Sequence, residues 1–279
     1  SEYTTGVVKD DSAYKTTITV AHDAPTLYYY CQNHSGMGGQ VNTTSTHGST
    51  NFDGSIQSVV SAATDAGFSI VSYTGNSSTA TVGHGLSLPP EVVIVRRRNH
   101  DSSNWFVFHK FGQTSGAEIG YLNLTNAFAA STSIFNNTVP TNQVFSLGNS
   151  NSNVTDDNYI AYCFHSVLGY SKFGSYIGNN NANGTFVYLG FRPAWVLWKR
   201  EDGTNGWFVL DSVRDVDNVA NTFLRPNTDD DEATAANSIA DFLSNGFKLR
   251  GNGGDVNANS AKYVYLAFAE APFKFANAR

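Results

Sequence analysis

The chain has 279 residues, of which 14% are charged and 13% are aromatic, and its formal net charge is −6. This length allows one large domain or two to three small ones, and the acidic balance argues against nucleic-acid binding, which needs clustered Lys and Arg. Abundant Gly, Asn, Ser and Thr beside the aromatic residues favour strands joined by polar turns, so we predict an all-β protein.

The N-terminal segment predicts a β-hairpin. Lys15–Val20 and Thr26–Cys31 have the composition of strands, and Ala21–Pro25 separates them. A lone hairpin has too few partners to be stable by itself. Residues 36–51 turn to Gly, Ser, Thr and Asn without apolar periodicity, which predicts a linker.

A short helix is predicted after this segment, ending near Gly67. Asp53 or Ser55 can cap it, and Gly67 suits its C-terminal turn. One helical face carries four apolar residues, Ile56, Val59, Val60 and Ala63. A smaller helix is predicted before Gly246, capped by Asn237, with Ile239, Phe242 and Leu243 on one face.

The rest of the chain alternates β-branched and aromatic runs with turn clusters. The first strands predicted in this way are Phe68–Tyr73, Glu91–Arg97, Asn104–Lys110, Val144–Gly148 and Tyr159–Val167. Five to seven short strands in about 100 residues imply a β-sandwich. Trp105 and Trp207 occupy equivalent places in the repeat described below, and we predict a core role for both.

Five sequence blocks recur in the same order at an offset of about 103 residues. The pairs are Tyr73–Asn76 with Tyr176–Asn179, Pro90–Arg97 with Pro193–Arg200, Trp105–Phe108 with Trp207–Leu210, Val144–Asn149 with Gly246–Arg250, and Asn158–His165 with Lys262–Ala269. This period is too long for a solenoid, so we predict two homologous domains or two halves of one domain. Because Cys163–Tyr176 lacks linker composition, the two copies should pack against each other.

The sharpest local motif sets a thiolate, an imidazole and a thioether on one turn, at Cys31, His34 and Met37. A type-1 copper site needs this ligand set together with a second histidine. Residues 23–41 resemble the last strand and ligand loop of cupredoxins, and the resemblance implies copper ligands at Cys31, His34 and Met37. The second histidine would precede this segment, and His22 is poorly placed to replace it. The alternative is a turn of this composition with a structural role.

The other candidate sites give weaker indications of metal binding, catalysis or ligand binding. The acidic runs Asp211–Asp217 and Asp229–Glu232 lack the glycine spacing of a calcium loop, so we interpret them as solvated loops. No nucleophile elbow, P-loop or dinucleotide motif occurs in the sequence, and we expect no enzymatic activity. Tyr28, Tyr29, Tyr30 and Tyr121 could form a sugar-stacking platform; alternatively, they face a core or a neighbouring subunit.

The cysteines and apolar runs bear on the cellular setting. Cys31 and Cys163 lie in unlike surroundings, so no disulfide framework is expected. No apolar run has the roughly 18 residues of a membrane span, and Ser1–Thr5 is unlike a signal peptide. The basic run Arg96–Arg98 is interpreted as a solvated strand end.

Two stretches together resemble structural proteins of marine bacteriophages, including cyanophages. Residues 24–39 are similar to the end of their cupredoxin-like domains, and a duplicated β domain of their predicted tail fibres and virion proteins is similar to residues 67–76, 169–179, 190–196 and 267–274. The fold implied is two homologous, jelly-roll-like β-sandwich repeats after an N-terminal cupredoxin-like hairpin fragment. The expected boundaries are 1–45 for that fragment, 46–67 for a linker with the short helix, 68–169 for repeat 1 and 170–279 for repeat 2.

The resemblance implies a virion structural protein, located in a tail fibre, an appendage or the capsid decoration, that acts in assembly and host adhesion. Its expected partners are other virion proteins, further copies of itself and a host surface glycan. The homo-oligomer is expected to be a trimer if the protein forms a fibre. Neither nucleic acid nor membrane is an expected partner. The alternative function is that of a carbohydrate-binding module in a receptor-binding or cell-surface protein.

Overall fold

The computed structural model describes residues 3–10, 12–13, 15–18, 27–31, 34, 36–41, 48–112, 116–235 and 239–271. Strands dominate these ranges, and the helical elements described are α1 (Thr132–Phe135) and a 3-10 turn (Thr64–Ala66). The predicted all-β sandwich fold is therefore confirmed. None of the described helices has the length and apolar character needed to cross a membrane.

The N-terminal part contains two separate hairpins. Strand β1 (Val7–Asp10) pairs with β2 (Lys15–Ile18), and β3 (Leu27–Tyr30) pairs with β4 (Gly38–Val41), all antiparallel. The predicted pairing of the second strand with the third is therefore wrong, and residues 19–26 lie outside the described residues. The prediction of a linker over residues 36–51 also failed, because β4 is a strand in which Gly39 lies opposite Tyr29. A side chain at Gly39 would meet the Tyr29 ring, so glycine at this position lets the Tyr29 ring lie close to the β4 backbone.

Repeat 1 has a long antiparallel sheet and a short one. Its strands are β5 (Ser49–Asn51), β6 (Ser58–Ala63), β7 (Phe68–Thr74), β8 (Ala80–Gly83), β9 (Val92–Arg97), β10 (Phe106–His109), β11 (Glu118–Tyr121), β12 (Ala129–Ala130), β13 (Val144–Leu147) and β14 (Asn158–Phe164). The long sheet has the order β12-β11-β10-β9-β14-β7-β6-β5, and β8 pairs with β13. The core consists of alternate residues of the long sheet and residues of β8 and β13, among them Val71, Tyr73, Val93, Val95, Tyr159, Val82 and Phe145.

Repeat 2 has the same central topology. Its strands are β15 (Ser171–Ile177), β16 (Phe186–Tyr188), β17 (Pro193–Arg200), β18 (Trp207–Asp211), β19 (Thr222–Phe223), β20 (Ala233–Thr234), β21 (Ala240–Leu243), β22 (Gly246–Leu249) and β23 (Lys262–Ala269). The order β18-β17-β23-β15 matches β10-β9-β14-β7, and the pair β16-β22 matches β8-β13. The duplication seen in the sequence is therefore a duplication of strand order.

The two helices predicted from apolar spacing are wrong. Ile56, Ser58 and Val60 are the buried residues of this stretch, and β5 and β6 extend the long sheet beyond β7. Only one 3-10 turn follows β6, although Gly67 ends it in the predicted left-handed conformation, with φ 64°. The second stretch forms β21, and Asn237 lies outside the described residues. The expected repeat boundary at residue 68 thus separates β6 and β7, which are paired strands of one sheet.

The two repeats pack against each other through a third apolar cluster, as predicted. Its buried residues are Val92, Val107 and Phe128 from repeat 1, and Phe173, Leu197, Trp207, Val209, Val264 and Leu266 from repeat 2. Hydrogen bonds that cross it include those from Trp207 Nε1 to Tyr121 O (2.7 Å), Lys199 Nζ to Thr125 O (3.0 Å), Phe128 N to Glu201 O (2.9 Å) and His109 Nε2 to Tyr265 O (3.1 Å). The central sheet of repeat 2 is therefore covered on both faces.

The equivalent tryptophans differ in their surroundings. Trp207 is 1% exposed at the interface between the repeats, as a core role requires. Trp105 is only half-buried, so the prediction of a core role for it is wrong. Its ring lies under the Arg96 guanidinium, 5.0 Å from the ring centroid, and parallel to Tyr162 at 6.3 Å.

Candidate functional site

The predicted metal ligands lie on the loop that closes the β3–β4 hairpin. Cys31 directly follows β3 and Met37 directly precedes β4, with Cys31 N donating to Met37 O (2.8 Å) and Met37 N to His34 O (3.3 Å). These bonds bring Cys31 Sγ within 3.3 Å of His34 Nδ1. The thiol and imidazole therefore point to one place, while the Met37 side chain is largely exposed.

The fit to a type-1 copper site is incomplete among the residues described. A thiolate, one imidazole and a thioether line a shallow concavity together with Tyr28–Tyr30, Gly36, Gly38 and Gly39. The second imidazole that such a site uses is not among these residues, and His22 lies outside the described part of the chain. Metal binding by Cys31, His34 and Met37 stays a prediction.

The candidate sugar-stacking tyrosines divide into two groups. Tyr28, Tyr29 and Tyr30 are 71%, 62% and 75% exposed. Tyr121 is partly buried, packs on the core of repeat 1, and its carbonyl accepts the indole proton of Trp207. The described structure thus leaves the hairpin tyrosines available for contacts and uses Tyr121 in the interface between the repeats.

The acidic runs also divide. Residues 229–232 are exposed, as expected for a solvated loop. Asp211 and Asp215 instead organise their loop, because Asp211 accepts from Val213 N and Arg214 N, and Asp215 accepts from the backbone of Asn221 and Thr222. The interpretation of that first run as solvated is wrong for these two carboxylates. Within the described residues, no three His, Cys, Asp or Glu side chains form a metal-binding group.

A second open site lies on the outer face of the repeat 1 sheet, opposite its core. Three aromatic rings form a parallel series there, Trp105 to Tyr162 at 6.3 Å and Tyr162 to Phe68 at 6.4 Å, with interplanar angles of 17° and 5°. Ile70 lies on the same face, opposite Tyr162 in the β7–β14 register, and is 36% exposed. We call this set, Phe68, Ile70, Trp105 and Tyr162, the aromatic row.

A polar cleft of about 300 Å³ adjoins the aromatic row. Strand alternation places Ser72 next to Ile70 on the outer face of β7. The lining residues are Gln57, Ser58, Val59, Ser72, Tyr73, Thr74, Arg98, Asn158 and Tyr159. They come from β6, β7, β14 and the end of β9, so pairing of these strands assembles the cleft.

The cleft carries hydrogen-bonding groups with free capacity. Gln57, Thr74, Arg98 and Asn158 are exposed, and the Thr74 hydroxyl donates to Asn158 Oδ1 (3.3 Å). Among the described residues, the Arg98 guanidinium has no ion-pair partner, whereas Arg97 pairs with Asp157. The side chains that line the cleft therefore contribute a positive charge and no carboxylate.

The corresponding face of repeat 2 is closed. Phe173, Leu266 and Trp207, which correspond to Ile70, Tyr162 and Trp105, are 2%, 3% and 1% exposed. Repeat 1 covers them through the segment that carries Tyr121, Thr125 and Phe128. The outer face of repeat 1 is covered only in part, because Val92 and Val107 join the same interface while the aromatic row stays partly exposed.

Comparison with known proteins identifies a family. The model of the family described as Domain of unknown function (DUF7483) matches residues 41–272, which is most of the chain. The chain belongs to this family. No curated protein matches it, and no solved structure does. The DUF7483 match contains both repeats together with β5 and β6, in agreement with the sheet that these two strands extend.

Sequence reasoning missed the cleft of this DUF7483 protein. The sequence predicts a solvated strand end at Arg96–Arg98, and it predicts Gln57 in a helix that does not form. The sequence signal for the outer face of repeat 1 is a difference between the two repeats. Tyr162 and Arg98 stand where repeat 2 has Leu266 and Glu201, so the two faces differ in chemistry although their strands correspond.

Proposed function

We propose that this chain is a bacteriophage virion structural protein, located in a tail fibre, an appendage or the capsid decoration, that acts in assembly and in adhesion to the host surface. The observation that carries the proposal is the buried interface that joins the two repeats into one block. Interfaces of this apolar and aromatic character resist relative domain motion. A component that transmits load or spaces other virion parts needs such a block.

The N-terminal hairpins support an assembly role. A two-stranded ribbon is marginal alone, and the β3 strand exposes three consecutive tyrosines. Tyr is a favoured residue at protein interfaces because its ring is apolar and its hydroxyl can hydrogen-bond. We place the contact with an upstream domain or another subunit at this hairpin, in a homo-oligomer that is a trimer if the protein forms a fibre.

A carbohydrate-binding role is the second candidate function. The aromatic row next to an open polar cleft favours it, because ligand sites combine apolar surface with a few placed polar groups. The two functions are compatible, since an adhesive virion component needs a host ligand.

Immunogold electron microscopy of purified phage particles tests the virion role. Antibodies raised against the recombinant chain should decorate intact particles at one structural location, either along a tail appendage or over the capsid. Antibodies treated beforehand with the recombinant chain provide the control. Labelling that stays in the soluble lysate fraction and never sediments with particles would contradict the proposal.

A further inference from the structure

We propose that the outer face of repeat 1 binds a glycan that bears a carboxylate, with the sugar ring in apolar contact with the aromatic row and its acidic group held in the adjoining polar cleft. The proposal rests on the adhesive part of the proposed function and names the site and the ligand class.

The aromatic row supplies a partly exposed apolar surface. Trp105 and Tyr162 lie parallel at 6.3 Å, and Tyr162 and Phe68 at 6.4 Å, so one side of the sheet carries a series of apolar rings. The Arg96 guanidinium lies over the Trp105 ring and donates to Asp101 O (3.2 Å), so it holds the indole in place and covers part of one ring face. A pyranose ring presents C–H groups on one face, and these can pack against the exposed parts of the rings and against Ile70.

The cleft supplies the polar recognition. Gln57 and Asn158 provide carboxamides, which can donate to and accept from neighbouring sugar hydroxyls, and Ser72 and Thr74 provide hydroxyls. Arg98 adds an exposed guanidinium, whose fork geometry matches a carboxylate. No carboxylate lines the cleft, so the charge of the site selects an acidic sugar over a neutral one.

The duplication supports a selective role for this face. The equivalent positions in repeat 2 are buried against repeat 1, and they carry Phe173, Leu266 and Lys199 in place of Ile70, Tyr162 and Arg96. Repeat 2 therefore uses this face for internal packing. In repeat 1 the face retains parallel aromatic rings beside an open polar cleft, and so it has both components that a sugar site needs.

Isothermal titration calorimetry of the full chain with tetragalacturonate tests the proposal, and a neutral galactotetraose is the comparison ligand. We expect measurable binding of the acidic tetrasaccharide and at least about tenfold weaker binding of the neutral one, the effect of losing one charge-assisted hydrogen bond. Arg98→Gln should weaken acidic binding about tenfold, and Tyr162→Ala should do the same. Thermal unfolding checks that each variant is folded. Arg98→Gln is less able to disturb folding than Tyr162→Ala, because Arg98 is exposed.

The matched control is another cation and tyrosine pair. Lys172 lies 5.3 Å from the ring centroid of Tyr188 on repeat 2, and neither residue lines the cleft. Lys172→Gln and Tyr188→Ala should leave binding unchanged. No binding by the folded chain, equal affinity for both tetrasaccharides, or indifference to Arg98→Gln would each overturn the proposal. A different result would also overturn it. If the wild-type chain binds no glycan but forms a dimer that Tyr162→Ala converts to a monomer, the occupant of this face is a second copy of the chain. None of these results depends on whether the chain occurs in particles, so the virion role is tested separately.

Discussion

Two buried asparagines hold the same position in the two repeats. Asn153 Oδ1 accepts from Asn76 N (2.9 Å), and its amide donates to Asn76 Oδ1, Ser78 O and Gly148 O. Asn257 repeats the pattern with Asn179, Asn181 and Gly251. The repeated Gly–Asn pairs, Gly75–Asn76 and Gly178–Asn179, are thus explained, because a Cβ at either glycine would clash with the carbonyl of Val154 or Ala258.

Replacement of Asn153 tests this network. Asn153→Ala leaves the Asn76 amide and two carbonyls without their partner, and we expect the free energy of unfolding to fall by about 3 kcal/mol. Exposed Asn252 provides the control, since Asn252→Ala should change the free energy of unfolding by less than about 0.5 kcal/mol. Chemical denaturation measures both variants, and equal small effects would show that the network contributes little.

His109 makes the interface between the repeats sensitive to acid. Phe111 N donates to His109 Nδ1 (3.2 Å), so the neutral ring carries its proton on Nε2 and donates it to Tyr265 O of repeat 2. Burial lowers the pKa of His109 to about 4, from an ordinary value of 6.5. Between these values the unfolded chain binds a proton that the folded chain does not, so stability is lost as pH falls from 6.5 to 4.

The expected loss from this residue is about 3 kcal/mol over that range. His109→Leu should remove it, so the variant's stability should decline less steeply with acid than that of the wild type, whatever its stability at pH 7. His100→Leu, in an exposed turn, should keep the wild-type slope. Denaturation curves at several pH values provide the comparison, and parallel slopes for wild type and His109→Leu would refute the assignment.

At the scale of elements, the sequence predicts strands correctly where β-branched and aromatic residues dominate a segment. Strands β7, β9, β10, β13 and β14 lie where β-branched and aromatic runs predicted them. The helix predicted before β7 is wrong because the buried alternate residues there are Ile56, Ser58 and Val60. A serine inside the sheet breaks the apolar alternation and leaves the helical spacing as the stronger signal.

The candidate site was harder to predict for a different reason. Gln57, Ser72, Asn158 and Arg98 come from different strands or strand ends, and strand register brings them together. Register depends on partners that are distant in the chain, which local patterns do not reveal. The loop with Cys31, His34 and Met37 could be found from sequence because its residues are close in the chain.

Strands β5 and β6 provide an element-scale prediction. A chain beginning at residue 48 keeps both strands and should fold, whereas one beginning at residue 68 loses the burial of Ile56 and Val60, about 2 kcal/mol each. The shorter chain also exposes the β7 edge, which favours aggregation. Size-exclusion chromatography and thermal unfolding distinguish the two, and equal behaviour would show that β5 and β6 are dispensable.

At the scale of the whole molecule, the two repeats should unfold together. Trp207 joins them, so Trp207→Ala should cost about 4 kcal/mol and separate the calorimetric transition into two. Trp105 is the matched control at the equivalent position of repeat 1. Trp105→Ala should cost about 1 kcal/mol and preserve a single transition, because Trp105 is half-buried and outside the interface. Two transitions in the wild type would contradict the picture of one block.

The proposal that this block is a virion component is tested most directly by its copy number. Quantitative mass spectrometry of purified phage particles, relative to the major capsid protein, should detect the chain in a fixed number per particle. A few to a few tens of copies in multiples of three would indicate a tail fibre or appendage, and hundreds would indicate capsid decoration. Absence of the chain from purified particles would contradict the virion role.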